Sequence, residues 1–320
     1  MPNHKIIFDD LQEGIWFKDL HPDFEDAELM SITEGRKIYP EIEKTLKYDR
    51  PDIILVDDET PILVIERTVE VPSGHNVGQR FGRLAGAAEE GIPCVYFFPY
   101  VAMKHGGETS GPRFVNLRLF RTIEIIENQL DGSITTINWP VDKDWEVIRQ
   151  DPIKDKRVKE YITLFLEYYN QQTPNICQAI KDSYFHENEI RERDKFAERE
   201  IKRGAVYDAP PKSVEILPTK NIQLPIPTNE LSEFDEIVVY KAGIENLRSD
   251  PYTGSAILYR YLYINGEPKK SRGLILHFPL IKVSDWNSLA DTRKDVRNFK
   301  AVADGILFAD GYLSFKGVKI

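Results

Sequence analysis

Between Pro51 and Phe98 the apolar positions fall into runs separated by turn residues, and the spacing inside each run assigns its element. Asp52-Ile-Ile-Leu-Val-Asp57 and Ile62-Leu-Val-Ile-Glu-Arg-Thr-Val-Glu-Val71 are rich in β-branched residues and flank the turn Asp58-Glu-Thr-Pro61. They predict two strands of a hairpin. Pro72-Ser-Gly-His breaks the second strand. From Asn76 to Glu90 the apolar residues Val77, Phe81, Leu84, Ala85 and Ala88 recur at helical spacing, and Gly91 suits a left-handed cap at the helix end. Ile92-Pro-Cys-Val-Tyr-Phe-Phe98 reads as a third, buried strand. A strand–helix–strand crossover places the last two strands parallel.

The flanks are less regular. The first 48 residues read as helical and polar, with an acidic stretch from His21 to Glu34 and a short helix over Pro40–Lys47 that has Pro40 in its first turn. Lys104–Arg113 is a Gly-rich loop, and Phe114–Gln129 suggests a further helix. Asp155 to about Arg203 is a long helical region whose last part, from Glu187, is highly charged and reads as solvated. Ala209–Asn229 holds five prolines and reads as a linker. Beyond it, Ile237–Tyr240, Ala256–Ile264 and Leu274–Phe278 predict strands, with a hairpin-type turn at Asn265-Gly266. Trp286–Ala303 predicts a helix stopped by Gly305. Ile306–Phe308 and Tyr312–Phe315 follow as short strands. The expected fold is mixed α/β, a central mixed sheet flanked by helices. Its parts are a core (1–150), a helical region (151–205), a Pro-rich linker (206–230) and a smaller C-terminal α/β unit (231–320).

Composition narrows the function classes. With 320 residues, 41% hydrophobic and 29% charged, the chain has ample material for a buried core and none of the bias of a disordered or fibrous protein. A net charge of −10 excludes binding to polyanions through overall charge, though not through a local basic patch. No apolar run is long enough for a transmembrane helix, and the start lacks the pattern of a signal peptide. Two cysteines make neither a disulfide framework nor a metal cluster, which fits a reducing cytoplasm. The histidines lack zinc-type spacing, and the chain has no Gly-x-Ser-x-Gly elbow and no phosphate-binding glycine motif.

Acids stand where acids are unusual. Asp52 opens the first core strand, Glu66 lies inside the second, and a hairpin lets the two approach each other. On a continuous strand Glu66, Thr68 and Glu70 share a face. Two close carboxylates at a sheet end need an offsetting charge, and a hard cation such as Mg²⁺ supplies it.

Pro51-Asp52, a spacer, and Glu66 closing an apolar strand resemble the PD-(D/E)XK nuclease superfamily, of which type II restriction endonucleases are a large branch. The similarity covers roughly residues 36–100. It implies a restriction-endonuclease-like core in which Asp52 and Glu66 hold Mg²⁺ for hydrolysis of double-stranded DNA by a metal-bound water. The lysine that usually helps activate the water falls on Thr68, which carries no charge. Its role would pass to Glu70, Arg80 or Arg83, with Gln79 able to orient a water and Glu43 or Glu41 able to add a carboxylate. The resemblance also implies a homodimer, since enzymes of this kind that cut palindromes pair.

Local basic features fit a DNA partner. Between Gly74 and Arg121, bases outnumber acids by three, and the Gly-rich loop with Arg113 is suited to a phosphate backbone. Arg293, Arg297 and Lys300 lie at helical spacing opposite Val296, Phe299 and Ala303, with Asn298 available to read adenine. Three plainer readings stay open. Asp52 caps a strand edge while Glu66 pairs with Arg80 or Arg83. The chain is a nucleic-acid-binding protein without catalysis on the same fold. Or it is an unrelated α/β enzyme that uses Asp52 and Glu66 on a small molecule.

Overall fold

The computed structural model describes residues 4–106, 110–115, 117–202, 213–247, 252–264 and 269–317. It divides into two compact units. One comprises residues 1–46 and 50–207, the other 208–320 with the short segment 47–49.

The first unit is built on a six-stranded mixed sheet. Its strands are β1 (His4–Phe8), β2 (Glu28–Ser31), β3 (Ile53–Asp57), β4 (Thr60–Arg67), β5 (Cys94–Phe98) and β8 (Ile134–Asn138), in the order β2-β1-β3-β4-β5-β8. β3 is antiparallel to both β1 and β4, whereas β4, β5 and β8 run parallel. The expected hairpin and crossover are therefore present. β1 and β2 lie in the segment expected to be helical: Ile6 and Ile7 are fully buried, and each strand is too short for its periodicity to show. Helix α1 (Leu11–Lys18) lies between them, and helix α2 (Ile32–Ile38) and a 3₁₀ turn over Pro40–Leu46 lead from β2 to β3.

Helix α3 (Gly74–Glu89) carries the crossover. Ser73 caps its start by accepting from the Asn76 N–H, and Gly91 leaves its end at φ 66°, as its lack of a Cβ allows. All five stripe residues are buried. The flanks of the Gly-rich loop pair with each other as β6 (Val101–Lys104) and β7 (Gly111–Phe114). Residues 107–109 at its tip lie outside the described residues. Helix α4 (Leu117–Gln129) leads into β8.

The helical region consists of α5 (Lys156–Asn170), α6 (Ile176–Lys181) and α7 (Tyr184–Lys202). It packs on the sheet, and Val158, Tyr161, Ile162, Phe165, Leu166 and Ile180 share a core with Ile53, Leu55, Ile65 and Phe97. The charged helix α7 is not wholly solvated. His186, Glu189 and Arg193 recur on one face and are buried, with Arg193 ion-paired to Glu124 and Glu189 to Arg157. Charge alone reads as exposure; a second set of charges facing it reverses that.

The second unit holds a five-stranded sheet in the order β13-β12-β11-β10-β9. Its strands are β9 (Ser213–Pro218), β10 (Glu236–Lys241), β11 (Arg272–Phe278), β12 (Gly305–Phe308) and β13 (Tyr312–Ser314). Its helices are α8 (Thr228–Leu231), α9 (Tyr252–Tyr259), α10 (Val283–Asn287) and α11 (Lys294–Val302). Three expectations fail here. Part of the Pro-rich segment is a strand, β9, which is tolerated because it lies at the sheet edge with Pro218 at its end. The expected strand 256–264 is the helix α9 extended by a π-helical turn over Arg260–Ile264. β10 and β11 are parallel, so the chain between them needs a crossover. Tyr259 and Tyr263 accordingly stack at 5.3 Å, one helical turn apart. The turn at Asn265-Gly266 lies outside the described residues. The single helix expected over 286–303 is two, α10 and α11.

Candidate functional site

The β3–β4 hairpin decides the site. Ile53 pairs with Ile65, so the next pair outward sets Asp52 opposite Glu66 at the end of the sheet. The backbone N–H of Arg67 donates to Asp52 Oδ2 at 2.6 Å and fixes that carboxylate. Glu66 is wholly inaccessible, with Tyr96 of β5 beside it and the inner face of α3 over it. Arg80 and Arg83 stand three residues apart on that helix and both reach down to it.

A single nitrogen, Arg83 Nη1, donates to Glu66 Oε1 at 2.9 Å, to Glu66 Oε2 at 3.0 Å and to Asp52 Oδ1 at 3.2 Å. The two carboxylates thus converge on one point. Arg80 Nε lies 3.3 Å from Glu66 Oε1, and its other nitrogens bind the Asn76 carbonyl (2.9 Å), Gln79 Oε1 (3.1 Å), Glu70 Oε2 (3.1 Å) and Thr68 Oγ1 (3.4 Å). The plainer expectation that Asp52 caps the strand edge and Glu66 pairs with an arginine therefore describes real contacts, made with both arginines.

Burial pushes the Asp52 carboxyl above its ordinary range, against the opposing pull of the Arg67 N–H and the arginines. Burial also pushes Glu66 well above its range, and repulsion from Asp52 adds to this.

Thr68 and Glu70 do not share a strand face with Glu66, because β4 ends at Arg67. They stay near through Arg80 instead. Gln79 orients Arg80. Glu43 is held by Arg36, with Nη2 donating to Oε2 at 3.0 Å, which spends its carboxylate there.

Sequence reasoning missed Glu13, Arg67 and Trp139 at the same end of the sheet. Arg67 lies over the rings of Trp16 (4.4 Å) and Trp139 (5.3 Å), and its Nε is 3.7 Å from Glu13. Burial, with repulsion from Asp52, raises the Glu13 carboxyl to about 7. Nothing in the local pattern around Leu11–Lys18 marks Glu13, since its neighbours arrive from distant strands.

The remaining candidates have surroundings of their own. Arg113, half-buried on β7, donates to the Pro112 carbonyl. In the C-terminal unit Arg293 is the N-cap of α11 rather than part of its face and is paired with Asp295 at 2.6 Å. Lys300 is paired with Asp291 at 2.7 Å, and Arg297 is half-exposed. Val296, Phe299 and Ala303 are buried as expected, but so is Asn298, which cannot present its amide to a base. Its position between Val296 and Phe299 turns it inward.

Two carboxylates converging on one point suit a hard divalent cation in charge and donor type. That point is filled by Arg83 Nη1, and among the described residues no group of three metal-ligating side chains occurs. Asp52 and Glu66 would hold Mg²⁺ only with the guanidinium withdrawn. No family model, curated protein or solved structure matches the chain.

Proposed function

We propose that the chain is a Mg²⁺-dependent endonuclease of the type II restriction-enzyme kind, acting on double-stranded DNA as a homodimer. The observation that carries the reading is the convergence of Asp52 and Glu66 on one point at the sheet end. The frame of an antiparallel hairpin followed by a parallel crossover adds support. In this reading Asp52 and Glu66 hold the cation. Bound there, Mg²⁺ supplies a water of lowered pKa and offsets charge developing on the scissile phosphate. Arg80, braced by the Asn76 carbonyl and Gln79, keeps Glu66 in place. Arg67, over the rings of Trp16 and Trp139 and beside Asp52, would meet a phosphate with its guanidinium fork.

The test is incubation of the purified chain with varied phage and plasmid DNA, in Mg²⁺ or in chelator, beside Asp52→Ala and Glu66→Ala. Discrete fragments formed in Mg²⁺ and lost in chelator and both variants support the reading. Cleavage that survives both substitutions refutes the site. The second reading, a DNA-binding protein without catalysis, is favoured by Thr68 in the lysine position and Arg83 in the cation position. Low-salt DNA binding without cleavage at any divalent metal would establish it.

A further inference from the structure

The opposite end of the six-stranded sheet holds two adjoining cavities. Asp57 closes β3 there, at the far end of the strand from Asp52. With Asn170 and Gln172 at the end of α5 it lines a cavity of about 490 Å³. A second cavity, of about 290 Å³, continues from the first, since Tyr169 and Ile176 line both. The second has an apolar floor of Pro61, Ile62, Ile92 and Pro93, with the exposed Glu41, Lys44 and Glu90 around it. Asp57 lines only the first cavity, and Glu41 and Glu90 only the second. The groove therefore has acids towards both ends and an apolar middle.

Its charges do not cancel. Among the lining residues three carboxylates face one ammonium, that of Lys44, which pairs with Glu41. The Asp57 carboxylate accepts the Tyr169 hydroxyl at 2.8 Å, and His4 Nδ1 lies 3.7 Å behind it. His4 is 4% exposed, and neither of its ring nitrogens makes a hydrogen bond. Burial holds it below its ordinary pKa against the pull of Asp57 and Asp23, so the imidazole brings no positive charge to the groove at pH 7. Gln172 holds a left-handed backbone, φ 54°, just past α5, where glycine costs less. The chain keeps an amide side chain at the cavity in spite of that cost.

We propose that this groove binds a linear aliphatic polyamine, with one ammonium at Asp57, another at Glu90, and the methylene chain over Ile62, Ile92 and Ile176. Ammonium groups answer the carboxylates, methylenes answer the apolar middle, and Tyr169 offers a ring to a cation. A dication matches the excess charge, a monoamine leaves one end unanswered, and an anion is repelled. Two strand spacings of about 4.8 Å separate β3 from β5, so the acids call for an extended chain rather than a compact ion. The proposal is independent of the nuclease reading, because Asp52 and Glu66 lie at the other end of the sheet.

Spermidine is the probe, titrated by calorimetry into the full chain at pH 7 in about 0.15 M salt, where diffuse attraction to an acidic chain is screened. One-to-one saturable binding is expected. Asp57→Asn should weaken it about tenfold or more, and Glu90→Gln, at an exposed position, about threefold. Asp291→Asn removes the same charge from the second unit, at a residue lining neither cavity, and should change nothing. A neutral aliphatic diol should not bind. Absence of saturable binding overturns the proposal, and so does an equal loss in all three variants, which would mean diffuse attraction alone. Should Asp57→Asn not fold, the wild type decides: spermidine should shift the amide resonances of residues 170–176, and unmoved resonances refute the site. Asp52→Ala should bind spermidine as the wild type does whether or not the chain cuts DNA, so the two readings stand or fall separately.

Discussion

Glu127 is a group through which this fold should feel pH. Carried on the last turn of α4, its carboxyl is buried, with Oε1 accepting the Ile134 N–H at 2.7 Å and His186 Nε2 3.6 Å away. Burial raises it to about 8 and lowers the neighbouring His186 to about 4. Unfolded, the two groups titrate near 4.5 and 6.5. For Glu127 the folded value is the higher one, so its contribution is fully present below 4.5 and is lost as pH rises to about 8. For His186 the folded value is the lower one, so its contribution is present above 6.5 and is lost as pH falls to about 4. The two limbs enclose a stability maximum in mildly acidic solution. At 1.36 kcal/mol per pKa unit the Glu127 limb amounts to about 3–5 kcal/mol once some relaxation around the buried charge is allowed for. Glu127→Gln keeps an acceptor for Ile134 and cannot ionise. Urea unfolding followed by tryptophan fluorescence suits the measurement, because Trp16, Trp139 and Trp145 belong to this unit. Wild type and variant should be similar at pH 5, with the variant more stable by about 3–5 kcal/mol at pH 9. Parallel stability curves across that range would refute the assignment of a buried, neutral Glu127.

Trp139→Ala should lower the stability of the same unit by about 3–5 kcal/mol in urea titrations, because its ring is buried and stacks on Phe97 at 4.4 Å. Arg67→Ala should cost about 1–2 kcal/mol in the same assay through its lost contacts with Trp16 and Trp139, with little recovery in Arg67→Lys. Gly305→Ala would place a Cβ 2.2 Å from Tyr312 Oη; the ring must shift, and amide exchange in β12 should report about 1–3 kcal/mol of lost protection. Asn298→Ala should leave low-salt DNA affinity unchanged, since Asn298 is buried; a loss of about tenfold or more in gel shifts would mean that α11 reads bases.

The hairpin, the helix after it and the parallel return strand are legible in the chain, because each carries a local signal: β-branched runs, a helical stripe from Val77 to Ala88, and Gly91 at the turn. The sequence also put Asp52 and Glu66 within reach of each other across the hairpin, but the register shift between Leu55 and Val56 is what sets them opposite one another. Long-range packing decided the rest. The segment 256–264 is helical because two parallel strands must be bridged, an obligation invisible in its own aromatic residues. Helix α7 turns His186, Glu189 and Arg193 inward because Arg157 and Glu124 come from other helices to meet them. Asn298 is buried by the same kind of context. At the site, the sequence offered acids and candidate bases without saying which would touch. Only the seating of α3 on β4 and β5 brings one guanidinium nitrogen onto both carboxylates, and only the packing of α1 brings Glu13 beside Arg67. Contacts between residues far apart in the chain depend on how faces pack, and a face has no local spelling.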